Sequence, residues 1–310
     1  MPQLSQNASF ATVLCLASFH TSCAERSAPP PGEVGDLVEL KKTIARLKPL
    51  HQKLGKPKPG DWLDQHDEPG QTFAEYLKIR PNTPTGARTV IYVQPLGDFT
   101  EKQREIVKLS AEYLGLHMNR PVKIRPNLPL KIIPAEARRV HPQWKVKQIL
   151  STYVLDKVLK PRLPKDAAAY IAFTAMDLWP GDGWNFVFGQ ASLRDRVGVW
   201  SIHRNGDPSG DEAEFRLCLR RTLKTATHET GHMFSMWHCT AYNCSMCGSN
   251  HLEESDRRPL YLCPECNAKV CWASKASPIT RYRCLADFCQ KHGLEEEQTY
   301  FERAIAVLSK

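Results

Sequence analysis

Twelve consecutive residues carry most of the chemistry that the sequence offers. The run "HETGHMFSMWHC", residues 228–239, contains three histidines, a glutamate and a cysteine. His228 and His232 are four positions apart, so on a helix both imidazoles lie on one face and can bind one metal ion. Glu229 projects beside them and can polarise a water molecule. His238 can be a third ligand if the chain turns after His232, which leaves zinc one open position for catalysis.

The cysteines point to metal binding as well. The chain has eleven cysteines, and eight of them lie between Cys239 and Cys289. Dense cysteine beside histidine is typical of a metal site rather than of a distributed disulfide framework. By spacing alone, the pairs Cys244/Cys247 and Cys263/Cys266 fit a zinc ribbon.

The whole pattern resembles a known family. The run H-E-x-x-H-x5-H-C-x4-C-x-M, then sixteen residues and C-x-x-C, resembles the archaemetzincin family of zinc metallopeptidases in the metzincin clan. The resemblance is close over residues 228–266, and "WNFVFGQAS" and "SNHLEESDRRPL" also look like that family. It implies a peptidase whose catalytic zinc is held by His228, His232 and His238, with Glu229 as the general base.

The resemblance implies a second metal ion too. Met246 would form a hydrophobic turn beneath the three histidines. A structural zinc, the second of two Zn²⁺ ions, would be bound by four thiolates: Cys239, Cys244, Cys263 and Cys266. Such a closed site folds the chain and does no chemistry. The remaining cysteines Cys218, Cys271, Cys284 and Cys289 are expected to be buried thiols.

Two departures from the family pattern bear on these assignments. The family has glycine where this chain has Ser235, and a left-handed residue at the helix end costs a serine about 1 kcal/mol more than a glycine. The placing of His238 depends on that turn. The other departure is Cys247, which creates the alternative ribbon set. We favour the family's set, because Cys239 would otherwise be an idle thiol beside a zinc ligand.

Strands and helices alternate upstream of these motifs. Strands are expected in "ARTVIYVQPL", "PVKIRP", "AAAYIAFTAMDL", "WNFVFGQAS" and "VGVWSIHR". The strand "NFVFGQAS" precedes the active-site helix, as the strand that lines the cleft does in metzincins, and could pair with an extended peptide. Helices are expected in "FTEKQREIVKLSAEYLGL", capped by Thr100 and stopped by Gly115, and in "QWKVKQILSTYVLDKVL". The active-site helix is predicted from Glu212 to about Trp237.

These elements predict an α/β fold, a metzincin-like mixed sheet with an active-site helix and a zinc-stapled C-terminal subdomain. We divide the chain into a disordered or weakly signal-like N-terminus and linker (1–35), a helical extension (36–85) and a catalytic domain (86–310). Within the catalytic domain lie a zinc loop (239–266) and C-terminal helices (279–308). Asp36 is placed to cap the first helix.

Charge and hydropathy limit the partners. Lys and Arg exceed Asp and Glu by 42 − 33 = 9, but the basic residues are scattered, so a nucleic-acid partner is not expected. No segment is long enough to span a membrane. Two locations stay open at this point: the cytoplasm, or export as a lipoprotein if the signal ending near Cys23 is real.

The resemblance implies an enzyme acting on short peptides with an aminopeptidase-like preference. Separately, we expect a monomer. The alternative is a zinc-stabilised binding protein with a decayed peptidase site, for which Ser235 is the only hint.

Overall fold

A computed structural model describes residues 37–310 of the chain. The predictions for the N-terminal segment 1–35, including the signal near Cys23, and for Asp36 as a helix cap lie outside the described residues. Within residues 37–310, none of the helices combines the length and apolar character needed to cross a membrane.

The helices lie largely where the sequence predicts them. The α-helices are α1 (Leu37–Leu47), α2 (Trp62–Gln65), α3 (Phe73–Lys78), α4 (Glu101–Met118), α5 (Ser151–Tyr153, continued by a π-helical segment, Val154–Leu159), α6 (Glu212–Met233), α7 (Leu252–Asp256), α8 (Pro264–Ser274), α9 (Pro278–Lys291) and α10 (Glu295–Leu308). Short 3₁₀ helices span Lys48–Leu50, Leu130–Ile132, Ala135–Ala137 and Lys160–Arg162.

The strands form a five-stranded and a three-stranded sheet within the described residues. They are β1 (Val90–Leu96), β2 (Val122–Ile124), β3 (Arg138–Val140), β4 (Lys147–Leu150), β5 (Ala167–Thr174), β6 (Asp177–Trp179), β7 (Gly189–Ala191) and β8 (Val197–Ser201). The larger sheet has the order β2-β1-β5-β8-β7, and only β7 runs antiparallel to its neighbour. The smaller sheet has the order β3-β4-β6. The mixed α/β fold is therefore confirmed.

Helices cover both faces of the larger sheet. Every residue of β5 is buried, as expected for a central parallel strand. Ile171 belongs to the core that contains α4 and α6, whereas its neighbours Tyr170 and Ala172 belong to the core that contains the π-helical segment. This alternation follows from the two-residue period of a strand. On the first of these faces, α6 packs against β7 and β8, next to the cleft described below.

The N-terminal extension packs on the C-terminal helices. Buried Leu40 and Leu47 of α1 share one hydrophobic core with the helices after the cysteine loop. His51 Nε2 lies 2.8 Å from the Tyr300 hydroxyl, and the Leu54 amide donates to the Ala241 carbonyl at 3.2 Å. The extension therefore contacts the chain immediately after the histidine cluster.

Several expectations about individual elements were wrong. The helix predicted from residue 143 begins only at Ser151, because residues 147–150 pair as β4 with β3 and β6. Gly115 does not stop α4, which continues to Met118 and is capped by Asn119 in a left-handed conformation; a Cβ at Gly115 would lie 3.1 Å from Val122. Only residues 189–191 of "WNFVFGQAS" form a strand. Helix α8 was not foreseen.

Candidate active site and metal centres

Helix α6 carries the histidine pair on its last turns. Asp211 begins the helix with a capping box, in which its side chain accepts from the Glu214 amide and Glu214 reaches back to the Asp211 amide. The helix ends at Met233, four residues earlier than predicted. Ser235 follows with φ = +64°, the left-handed conformation that reverses the chain.

The three histidines converge. One ring nitrogen from each of His228, His232 and His238 lies within 4.8 Å of the others, and the Nε2 atoms of His228 and His232 are 3.0 Å apart. His228 Nδ1 lies 2.9 Å from the Ser245 carbonyl and His232 Nδ1 lies 2.7 Å from the Met236 carbonyl. A carbonyl oxygen only accepts, so each Nδ1 carries the proton and each Nε2 keeps a lone pair.

Burial keeps these rings neutral. Desolvation, with His238 as a further cause, lowers the pKa of His232 to about 4. Desolvation also holds the pKa of His228 well below its usual value, and the neighbouring rings add to this shift. Metal binding requires neutral imidazole. The pair is therefore in the ligand-competent form at neutral pH.

Glu229 lies against strand β7. A Cβ at Gly189 would stand 2.8 Å from the Glu229 Cγ and 3.0 Å from the Trp200 Cβ, so only glycine lets the strand come this close. Desolvation raises the pKa of Glu229 to about 8. A carboxyl group with a raised pKa beside converging histidines is a candidate acid–base group.

A carboxylate from the extension holds the third histidine. Both oxygens of Glu68 lie within hydrogen-bond distance of His238 Nδ1, at 2.9 and 3.0 Å. Histidines that bind metals usually donate their second N–H to such a group, which fixes the tautomer and the ring orientation. The sequence reading missed Glu68, because it precedes His238 by 170 residues and belongs to no motif.

The extension also clamps the turn at Ser235. The Asn82 amide donates to the Ser235 hydroxyl at 3.0 Å, and Asn82 Nδ2 donates to the Met233 carbonyl at 3.0 Å. The Tyr76 hydroxyl donates to the Phe234 carbonyl at 2.9 Å. Ser235 thus adopts the conformation expected of a glycine at this place, and the hydrogen bonds from the extension offset its strain.

Met246 lies under the helical turn between the two histidines. It is fully buried, and a Cβ at Gly231 would stand 2.7 Å from its sulfur. The Met246 carbonyl accepts from the Cys239 amide at 2.8 Å. The residue therefore ties the floor of the histidine cluster to the start of the cysteine loop.

A second cluster consists of four thiols. The Sγ atoms of Cys239, Cys244, Cys263 and Cys266 all lie within 4.8 Å of one another, with Cys239 and Cys263 at 3.7 Å. Four sulfurs at about 2.3 Å from a tetrahedral zinc ion stand about 3.8 Å apart. The Cys263 amide points at the Cys244 sulfur at 3.2 Å. The donor set therefore fits zinc.

The remaining described cysteines are not members of this four-thiol cluster, although the Cys247 thiol contacts the Cys239 thiol. The Cys247 thiol donates to the Tyr242 carbonyl at 3.2 Å, and the residue borders the cleft. Cys218, Cys271 and Cys289 are fully buried, as expected, whereas Cys284 is only partly buried. Cys218, Cys247, Cys271 and Cys289 form no disulfide.

A cleft of about 610 Å³ opens onto the histidines. Its lining comes from the extension, from the segment 183–191 that ends in β7, from α6, and from the loop after Met246. His228, Glu229, His232 and His238 all face this space. The volume is in the range of small-ligand sites.

Three converging histidines that could hold a metal ion, with a buried glutamate beside them on a helix of a mixed α/β fold, are the features of a zinc metallopeptidase. Comparison with known proteins supplies the family. A family model described as "Peptidase family M54" matches residues 109–271. Archaemetzincin-2 of Homo sapiens is 35% identical over 262 residues, which cover 73% of this chain and 71% of that protein. The chain belongs to the archaemetzincins, peptidase family M54.

Archaeal proteins are similar over a shorter stretch. Archaemetzincin of Thermococcus kodakarensis is 41% identical over 109 residues, covering 34% of this chain and 56% of that protein. The crystal structure of archaemetzincin from Methanopyrus kandleri aligns with a TM-score of 0.50 at 28% identity, covering 62% of this chain and 99% of that one. The extension that holds Glu68 lies outside the residues matched by the family model.

Proposed function

We propose that His228, His232 and His238 bind the catalytic zinc ion and that Glu229 is the general base for peptide-bond hydrolysis. The observation that carries this proposal is the arrangement of the rings. Each Nδ1 is already engaged, by Ser245, Met236 or Glu68, and the ring nitrogens that remain converge in the cleft. Two nitrogens bound to one tetrahedral zinc stand about 3.3 Å apart, close to the 3.0 Å between His228 and His232.

The chemistry divides between metal and protein. Zinc, when bound, supplies a Lewis acid that polarises the scissile carbonyl and lowers the pKa of water. Glu229 accepts the proton of the attacking water and returns it to the leaving amine. Burial raises the pKa of Glu229 to about 8, and a cation bound beside it would shift that pKa back towards the range of a working base. Glu68 holds His238 in orientation throughout.

We also propose a second, structural zinc on Cys239, Cys244, Cys263 and Cys266, for a total of two ions per chain. Burial raises the pKa of the Cys244 thiol well above its usual value, so a cation is needed to hold thiolates together there. Cys247 is left out of the set, because it is not among the four cysteines whose sulfur atoms all lie within 4.8 Å of one another.

The substrates we propose are short peptides, with an aminopeptidase-like preference. A cleft of about 610 Å³ has room for only a few residues. Both proposed metal sites are built from residues of one chain, which supports a monomer as the working unit. Light scattering across a dilution series tests the monomer.

A peptide-library digest tests the function as a whole. We expect cleavage that stops with a chelator and returns with added zinc. Aminopeptidase preference is tested by N-terminal acetylation of a cleaved peptide, which should slow its hydrolysis. A peptide that is cleaved equally well after acetylation would refute the preference but leave the peptidase intact.

A further inference from the structure

One end of the cleft is lined by positive charge. Lys224 lies one helical turn before His228 on the same face of α6, and Arg258 follows α7. Both line the cleft together with Ser245. Among the described residues that line it, Glu229 supplies the only carboxylate. The end of the cleft that contains Lys224 and Arg258 therefore has no further carboxylate among its lining residues.

Arg258 is poorly satisfied by the protein. Its side chain is only 14% exposed. Its Nη1 lies 3.4 Å from Asn243 Oδ1 and its Nη2 lies 3.5 Å from Glu254 Oε1, much longer than the 2.7–2.9 Å of a good charge-assisted bond. Its Nε is buried without a partner.

The neighbouring carboxylate is already committed elsewhere. Glu254 accepts from the Trp62 amide at 3.0 Å and from the Asn250 amide at 2.8 Å. The two amides therefore compete with Arg258 for the oxygens of Glu254, and the Arg258–Glu254 ion pair stays long at 3.5 Å. A guanidinium with an unused, buried donor and long contacts favours the binding of an additional acceptor.

Two more groups are available at this end. The Ser245 hydroxyl is buried and has no hydrogen-bond partner, although the residue lines the cleft. Lys224 Nζ donates to the carbonyls of Ser255 and Arg258, both at 2.6 Å, which leaves one of its three N–H groups. Desolvation lowers the pKa of Lys224 to about 7, and an anion nearby would restore its charged form.

We propose that Arg258, Ser245 and Lys224 form a subsite for a substrate carboxylate immediately beside the scissile bond. The carboxylate is an Asp or Glu side chain, or the C-terminus of a very short peptide. This inference rests on the proposed peptidase function and adds a substrate class to it. Sequence spacing gave no sign of it, because Lys224 and Arg258 are brought together only by the docking of the loop on α6.

Paired peptides test the subsite. Each pair differs by Glu against Gln at one position next to the scissile bond, and a second pair compares a free with an amidated C-terminus. We expect kcat/KM to be at least tenfold higher for the acid member of one pair. The pair that responds identifies the source of the carboxylate.

A variant and its matched control locate the effect. Arg258→Gln should bring the acid-to-amide ratio of kcat/KM close to one, and Ser245→Ala should lower it partly. Arg257→Gln removes the same charge from the adjacent residue, which pairs with Asp61 and does not line the cleft. It should leave the ratio unchanged. Zinc content and circular dichroism establish that each variant is folded.

Binding separates this inference from the proposed function. Calorimetry with Glu229→Gln protein should show tighter binding of the acid peptide, even if no peptide is hydrolysed by the parent enzyme. Absence of hydrolysis together with that preference would refute the peptidase proposal and keep the subsite. Equal rates and equal binding for both members of both pairs, or no binding at all, would overturn the subsite.

Discussion

Glu68 should set the affinity of the catalytic zinc, although it is not a ligand. Both of its oxygens lie 2.9–3.0 Å from His238 Nδ1. Loss of such an orienting partner weakens metal binding by about 10–100-fold, equivalent to about 1.4–2.7 kcal/mol. Glu68→Gln keeps an acceptor oxygen and should lie near the lower limit. Glu68→Ala removes it and should lie near the upper limit.

A chelator competition, read separately for the weak and the tight zinc, measures this effect. The matched control is Asp67→Asn, which removes the same charge from an exposed neighbour. It should leave both zinc affinities at the wild-type value. If Glu68→Ala binds both zinc ions as tightly as Asp67→Asn does, Glu68 does not orient His238 for metal binding.

Further predictions concern the turn, the thiols and the extension. Ser235→Ala loses the hydrogen bond from the Asn82 amide but keeps the left-handed strain, so urea unfolding should show a free energy of unfolding about 1 kcal/mol lower. Ser235→Gly loses the same bond but relieves that strain, so its stability should match wild type. Cys247→Ser should keep two zinc ions per chain, whereas Cys239→Ser should release one; the opposite pattern would favour the ribbon set. Burial lowers the pKa of His51 from 6.5 to about 4, so the unfolded chain binds this proton at a higher pH than the folded chain does. The free energy of unfolding should therefore fall, by up to about 3 kcal/mol, as the pH is lowered from 6.5 to 4. His51→Gln should lose that part of the pH dependence, and an unchanged curve would show that the ring is not buried against Tyr300.

The local parts of the site could be predicted from the sequence. A helix brings His228 and His232 to one face by its geometry alone. Thr100 and its capping box began α4 where the pattern indicated. Such features depend on residues a few positions apart, so the spacing of residue types in the sequence is enough to predict them.

The parts of the fold and the site that the sequence did not predict depend on tertiary contacts. Apolar spacing suggested a helix through Ile149, but these residues pair with two other strands, and periodicity does not report pairing. Helix α8 is buried on nearly every side and has little amphipathic pattern, and its cap is Cys263, an unusual capping residue. Glu68 and Asn82 reach the site only because the extension docks there.

The central claim is that Glu229 is the base of a zinc peptidase whose metal is held by three histidines. The most direct measurement is the activity of Glu229→Gln protein that retains its zinc. We predict a loss of at least 10²–10⁴-fold in peptide hydrolysis with the zinc content unchanged, since the residue is not a ligand. A variant that keeps more than a tenth of wild-type activity, or that loses its zinc, would contradict the claim.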